Sequence, residues 1–352
     1  MNAKLGALLL LLATSSALRA QEDDEWHRLT RAGKSAYEQG NYGEAENLLK
    51  AALAEAEHGS EDRLATAQNN LGVLYSVTAR MKEACDLMER ALAIRERSLP
   101  PDHADLGTSL SNLAEAYGAQ QRFAEAEQLC RRALEIWRKV LGPEDPATGA
   151  AMMNLGELYR AQRKRKEARE QYHPALAIFE KNRQKGDLRY ATCLNDIGAS
   201  YSDENKPAKA RPYYLRALEA AEKDGAPEHP LMASVLRNLA NDYRDLGKYR
   251  EAAPLHRRAL ALWEKVLGPQ HPVLVPVLAE LGEGCTRLGN LTEAEQFYRR
   301  AVAILEKSSG TADRRVATNL EKLLAVLNQS GNYQEAARVE ARIEALRAGF
   351  TR

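Results

Sequence analysis

The chain has 352 residues, with 50 Lys and Arg against 49 Asp and Glu, a formal net charge of +1, and 28% charged and 6% aromatic residues. A balance this close to neutral excludes a global electrostatic pull on nucleic acid or on an anionic membrane. Long runs of Val, Ile and Thr are missing, so the composition points to an amphipathic, all-helical protein.

The first twenty residues are a different text. Lys4 gives a positive start, Leu5 to Ala13 form a short apolar run, and Ser15, Ser16 and Ala17 follow. This pattern predicts a secretory signal peptide over residues 1–20, cleaved after Ala17 or Ala20 and too short to span a membrane comfortably. The expected location is therefore exported, periplasmic or secreted, with no membrane span in the mature chain. No cysteine follows the apolar run, which argues against a lipid anchor. Cleavage would remove Lys4 and Arg19 and no acid, taking the net charge from +1 to −1.

Beyond it, one phrase recurs every 42 residues. Its apolar anchor falls at Leu71, Leu113, Leu155, Ile197, Leu239, Leu281 and Leu323. A small residue follows at Gly72, Ala114, Gly156, Gly198, Ala240 and Gly282, and a tyrosine at Tyr75, Tyr117, Tyr159, Tyr201 and Tyr243. A second register holds Ala84, Ala126, Ala168, Ala210, Ala252, Ala294 and Ala336. A shorter copy with Gly33, Tyr42 and Ala45 precedes them. Self-similarity at this length predicts stacked supersecondary units. The expected spans are about 24–59, 60–101, 102–143, 144–185, 186–227, 228–269, 270–311 and 312–348, which leaves no room for a separate catalytic domain.

Within one unit, Leu106, Leu110, Leu113, Ala114 and Tyr117 make one helical stripe. After a break at Gln121-Arg122, a second stripe runs through Ala126, Leu129, Cys130, Ala133, Leu134 and Trp137. Gly142-Pro143 ends it. Each unit is thus a helical hairpin. The linkers recur as Gly142-Pro143-Glu144-Asp145-Pro146 and Gly268-Pro269-Gln270-His271-Pro272, placing Asp or His at an N-cap and Pro at the first helical position. The linker histidines, one per repeat, read as loop punctuation and not as metal ligands. Small residues in the anchor slot are expected to face the second helix and its alanine.

Three departures stand out. Arg160, Arg163, Lys164, Arg165, Lys166 and Arg169 form a basic cluster confined to one turn, read as solvated. Repeat five carries Lys185-Gly186-Asp187 in its linker, and Pro174, Pro212 and Pro254 fall inside second helices, where proline is expected to bend them. The four cysteines show neither CxxC nor Cys–His spacing and read as small buried hydrophobes. The acids Glu83, Glu125, Glu167, Glu251, Glu293 and Glu335 keep the repeat rhythm and mark helix starts. With no GxSxG, HExxH or phosphate loop, no enzyme activity, cofactor or metal is expected.

Leu-Gly/Ala-x-x-Tyr, then Glu-Ala, then Arg-Ala-Leu, as in Asn70-Leu71-Gly72-Val73-Leu74-Tyr75, Glu125-Ala126 and Arg132-Ala133-Leu134, resembles the tetratricopeptide repeat. The 42-residue period and the Gly-Pro-Gln-His-Pro linker resemble its kinesin light chain subtype over about residues 24–348, as an exported bacterial relative. The resemblance implies a right-handed all-α solenoid of about eight hairpins, whose first helices line a concave surface that binds peptides or partner helices. On that face stand Asn70, Asn112, Asn154, Asp196, Asn238, Glu280 and Lys322, with Asn69, Ser111, Met153, Asn195 and Arg237 one position earlier. Glu115, Glu157, Asn241, Arg160 and Arg244 follow. An amide can pair with any peptide backbone, so the expected peptide-binding residues are Asn69, Asn70, Asn112, Asn154, Asn195, Arg237, Asn238, Asn241 and Arg244. The expected partner is a protein or peptide and not nucleic acid. The alternative is an envelope scaffold that stacks through its ends, where Leu323, Leu324, Val326 and Leu327 would be exposed, or through its convex face.

Overall fold

The computed structural model describes residues 24–78, 80–224, 228–309 and 314–350, so the signal-peptide reading lies outside the described residues. Sixteen helices and no strand occur among the described residues. They form hairpins α1 (Glu25–Glu38) with α2 (Tyr42–Ala56), α3 (Glu61–Val77) with α4 (Met81–Ser98), and α5 (Ala104–Ala119) with α6 (Phe123–Val140). Then come α7 (Pro146–Ala161) with α8 (Arg165–Lys181), α9 (Arg189–Ser202) with α10 (Pro207–Lys223), and α11 (Pro230–Asp245) with α12 (Tyr249–Leu267). The last two hairpins are α13 (Leu274–Arg287) with α14 (Leu291–Ser309) and α15 (Arg314–Gln329) with α16 (Tyr333–Phe350). The chain divides into two compact units, Met1–Ile178 and Phe179–Arg352. Within each, helices pack on their hairpin partner and on the next hairpin.

At Asp145, His103 and His229 the caps are those the linkers foretell. The Asp145 carboxylate accepts from the Ala147 N–H at 2.7 Å. Nδ1 of His103, His229 and His271 accepts from the N–H two residues on, at 3.2, 3.1 and 3.2 Å. His103 and His229 therefore serve as N-caps, whereas α13 opens two residues later than its linker predicts, with Val273 at the N-cap and His271 and Pro272 ahead of the helix.

The turn inside each hairpin has its own register. Gln121, Arg163 and Asn205 have φ of 62°, 62° and 56°, where later repeats place Gly247, Gly289 and Gly331 at 72°, 81° and 79°. The next N–H reaches back to the tyrosine-slot carbonyl, as in Arg122 to Tyr117 at 2.9 Å and Asn290 to Cys285 at 2.8 Å. This is the Schellman closure of a helix C-terminus, whose left-handed residue glycine adopts without strain.

Packing explains the small slot more sharply than the sequence does. A Cβ on Gly156 would lie 2.4 Å from Tyr172 Cε1, on Gly198 2.6 Å from Tyr214 Cε1, and on Gly282 2.7 Å from Tyr298 Cζ. The two alanines of the slot, Ala114 and Ala240, belong to hairpins that carry Cys130 and His256 in place of tyrosine. Slot and filler lie 16 residues apart on one hairpin. The recurring alanine contributes differently: Ala84 is fully buried and its carbonyl lies 3.2 Å from the position a Gly72 Cβ would take.

The cores are leucine and alanine. In unit 1, Leu106, Leu110 and Leu113 are at most 2% exposed. In unit 2 a continuous cluster runs from Ala233 to Ile343. Leu323, Val326 and Leu327, expected at an exposed end, are buried in that cluster and Leu324 packs against it. The prolines sit inside unbroken helices α8, α10 and α12.

All four cysteines are free and buried. Burial pushes the Cys130 thiol up to about 12 and that of Cys285 up to about 11, which keeps both protonated and unreactive at neutral pH. In the basic cluster, Lys164 lies over the Tyr159 ring and 3.8 Å from Glu127, and Lys166 lies 3.8 Å from Glu170. Among the described residues no helix is long and apolar enough to cross a membrane, and no group of three or more His, Cys, Asp or Glu could hold a metal ion.

Candidate partner-binding surface

The asparagines of the first helices bond to one another across consecutive repeats. Asn112 Nδ2 donates to Asn69 Oδ1 at 3.1 Å, and Asn238 Nδ2 to Asn195 Oδ1 at 3.0 Å. Asn195 also donates to Asp196 at 3.3 Å. Asn69 and Asn195 are only 6% and 9% exposed, so these amides knit neighbouring first helices together. Asn70 is half-buried, and its amide nitrogen has no hydrogen-bond partner among the described residues. Asn154 is exposed.

In unit 2 the remaining expected residues converge on Glu280, which breaks the asparagine register. Arg237 donates to it through Nε and Nη2 at 2.6–3.1 Å, and Asn241 Nδ2 donates at 3.3 Å. Arg244 Nη1 stands 3.8 Å from the same carboxylate and also pairs with Asp245 at 2.8 Å. From α12, His256 Nε2 lies 3.0 Å from Asn241 Oδ1 and 3.5 Å from Glu280. Burial pulls the His256 pKa down to about 4, against the opposing pull of the Glu280 charge, so the ring is neutral at pH 7. The network closes its own space: the cavity left between Arg244, Tyr249, His256 and Glu280 is about 10 Å³.

The same place three repeats earlier, in unit 1, is open. Gly118 stands for Arg244, Cys130 for His256, Glu115 for Asn241 and Asn154 for Glu280. A cavity of about 570 Å³ remains there, lined by Glu115, Gly118, Cys130, Asn154, Glu157 and Arg160 together with apolar positions of α5 and α7. The side chains of Glu115, Asn154 and Glu157 make no hydrogen bond or ion pair with any other described residue. Glu157 is exposed along this hollow, yet the crowding of protein around it raises its carboxyl pKa, against the pull of Arg160 and with a push from Glu115.

Of the nine expected residues, Asn154 alone lines the open cavity; Arg237, Asn238, Asn241 and Arg244 are committed to contacts within unit 2. Glu115, Glu157 and Arg160 were visible on the stripe. Gly118 and Cys130, which create the space, gave no signal of their own. Four carboxylates of the repeat rhythm pair with arginines, Glu83 with Arg80, Glu125 with Arg122, Glu293 with Arg257 and Glu335 with Arg299.

Hairpins of this length, closed by the same turn and each locked internally through a small slot, define a helical-repeat protein. The chain belongs to the tetratricopeptide repeat family, whose profile matches residues 27–97, 63–128, 105–181, 151–223, 231–307 and 277–348. A search of curated protein sequences finds no match. Among solved structures, BtubC (BKLC) from P. vanneervenii is 20% identical with a TM-score of 0.56, covering 68% of this chain and 92% of that one. A putative kinesin light chain of P. anserina with nearly identical repeats is 25% identical with a TM-score of 0.50, covering 59% and 97%. A Rap protein complexed with competence and sporulation factor is 18% identical with a TM-score of 0.55, covering 93% and 96%.

Proposed function

We propose that this chain is a non-enzymatic adaptor that holds a protein partner, as a peptide or a helix, in the concave groove of its first helices, centred on unit 1. The observation that carries this reading is the 570 Å³ cavity bordered by Glu115, Asn154 and Glu157, polar groups with no partner of their own on a face otherwise knitted together. These three side chains are exposed to water, and polar groups left uncommitted beside an apolar floor are what a binding surface offers. Membership of the tetratricopeptide repeat family supports it. The proposed setting is exported, periplasmic or secreted, supported by the pattern of residues 1–20.

A photo-crosslinking residue at Asn154 tests the proposal against one at Arg138 on second helix α6. Crosslinked protein recovered from Asn154 and not from Arg138 is the expected outcome; the reverse would move the surface to the convex face. That reverse outcome would favour an envelope scaffold assembling through its ends or convex face, whose support is Tyr333, 70% exposed on the C-terminal hairpin.

A further inference from the structure

The open slot of unit 1 has a filled counterpart inside the same chain, and the filled one shows what chemistry suits the place. In unit 2 a guanidinium from the end of the first helix, Arg244, turns toward the carboxylate of Glu280, with Arg237 on its other side. In unit 1 the helix position of Arg244 is Gly118, and nothing of the chain replaces that side chain. A Cβ built on Gly118 meets one atom, the Leu158 Cδ1 methyl at 3.3 Å, a tight contact that the end of that flexible side chain can relieve by shifting a few tenths of an ångström.

The acidity of the slot is its own, since Asp245 and Glu280, which contact Arg244 in unit 2, correspond to Ala119 and Asn154 here, while Glu115 and Glu157 take the places of Asn241 and Glu283. Its titratable lining is Glu115 and Glu157 against Arg160, one net negative charge, with Cys130 neutral at the base. Arg160 has interactions of its own, whereas the two glutamates have no ion pair. Ala114, Ala119, Leu158 and Ala161 supply an apolar floor suited to a methylene stem. The volume of about 570 Å³ sits inside the range of roughly 300–1,000 Å³ usual for ligand pockets.

We infer that this slot receives an arginine side chain presented by a bound peptide, its guanidinium set against Glu115 and Glu157 in the place that Arg244 fills in unit 2. The inference rests on the proposed groove binding and names the residue that the groove selects. A planar, forked donor can serve two carboxylates at once, which an ammonium point charge does less well.

The test uses the full chain and fluorescent heptapeptide pools, randomised except for a fixed central residue: arginine, citrulline, lysine or glutamate. Citrulline keeps the shape and removes the charge. Fluorescence anisotropy is expected to show the arginine pool binding about tenfold tighter than the citrulline pool, the difference that one charge-assisted hydrogen-bonded contact makes. Gly118→Arg, which lets the chain fill its own slot, and the double variant E115Q/E157Q should each bring the arginine pool down to the citrulline level. Glu283→Gln, at the matching position of unit 2, should leave it unchanged. Circular dichroism of each variant checks that the helices persist, and E115Q/E157Q keeps the test decisive if Gly118→Arg does not fold. Equal binding of arginine and citrulline pools, lost in Gly118→Arg, would overturn the arginine inference while leaving the groove standing. Preference for the glutamate pool would overturn it in favour of Arg160. No binding by any pool, or binding that Gly118→Arg does not touch, would overturn both readings.

Discussion

The same location, between repeats three and four in unit 1 and between repeats six and seven in unit 2, holds about 570 Å³ of space in one and about 10 Å³ in the other. The hairpins around both are built alike, with anchor leucines at most 2% exposed at Leu113, Leu239 and Leu281 and 3% at Leu155. What differs is a handful of side chains at fixed register: Gly118, Cys130 and Asn154 against Arg244, His256 and Glu280. The fold is therefore set by the slots that join the two helices of a hairpin. The face the first helices present is set by positions the fold leaves free. One solenoid can carry a receptive place and a sealed one without any change of backbone plan.

The comparison predicts unequal responses to the same kind of change. Glu280→Ala removes the acceptor that serves Arg237, Asn241 and Arg244 and leaves charges half-buried, so it should cost about 3–4 kcal/mol. Hydrogen exchange should show the loss in α11 to α13. Asn154→Ala, its counterpart, should stay within about 0.5 kcal/mol because that amide is exposed and unbonded. Equal losses would erase the distinction between sealed and open.

Gly156→Leu forces a side chain onto the Tyr172 ring and should cost about 3 kcal/mol by urea denaturation. Gly118→Leu, on the same face but over the cavity, should cost less than about 1 kcal/mol, mostly helix propensity working in its favour against exposed apolar surface.

The two units should also part company in acid. His256 has a folded pKa of about 4, below the ordinary value near 6.5. The unfolded chain binds that proton more readily, so the stability tied to the neutral ring is complete above about pH 6.5 and is lost as pH falls toward about 4. Unit 2 should lose about 3 kcal/mol across that window, read as exchange rates in α12, and His256→Gln should flatten the dependence. Cys130, protonated throughout, gives unit 1 no matching step at this place. The last effect is a gain. Gln121→Gly relieves a left-handed turn that later repeats already give to glycine, and should raise stability by about 1 kcal/mol, whereas Gly247→Gln should lower it similarly. Melting temperatures measure both.

Most of the fold was legible because its signals are periodic. The 42-residue register, the Gly-Pro linkers and the tyrosine slot each recur, and each maps onto a core contact, a cap or a turn closure. The filler opposite the small slot was less legible: Met88, Cys130, Tyr172, Tyr214, His256 and Tyr298 share a register but only three share a residue type, so their common role appears only once the helices are packed. The surface was legible in part. The asparagine stripe is real as a stripe, but sequence spacing does not say that Asn112 turns to Asn69 and Asn238 to Asn195 across the repeat boundary. Glu280 announced itself by breaking the pattern. The cavity did not, since it is made by what Gly118 and Cys130 lack, and an absence of atoms carries no periodic mark.

The lock between each glycine and its filler lies wholly within one hairpin, whereas the cavity borrows walls from two. A hairpin is thus a portable part, and the cavity is a property of adjacency. Splicing one extra repeat into the linker at Gly142 would keep every hairpin's own core intact while separating Gly118 and Cys130 from Asn154 and Glu157. The chain would be longer and still foldable, and its receptive place would be gone. Lengthening by whole repeats is safe for architecture, but recognition depends on which two neighbours stand side by side.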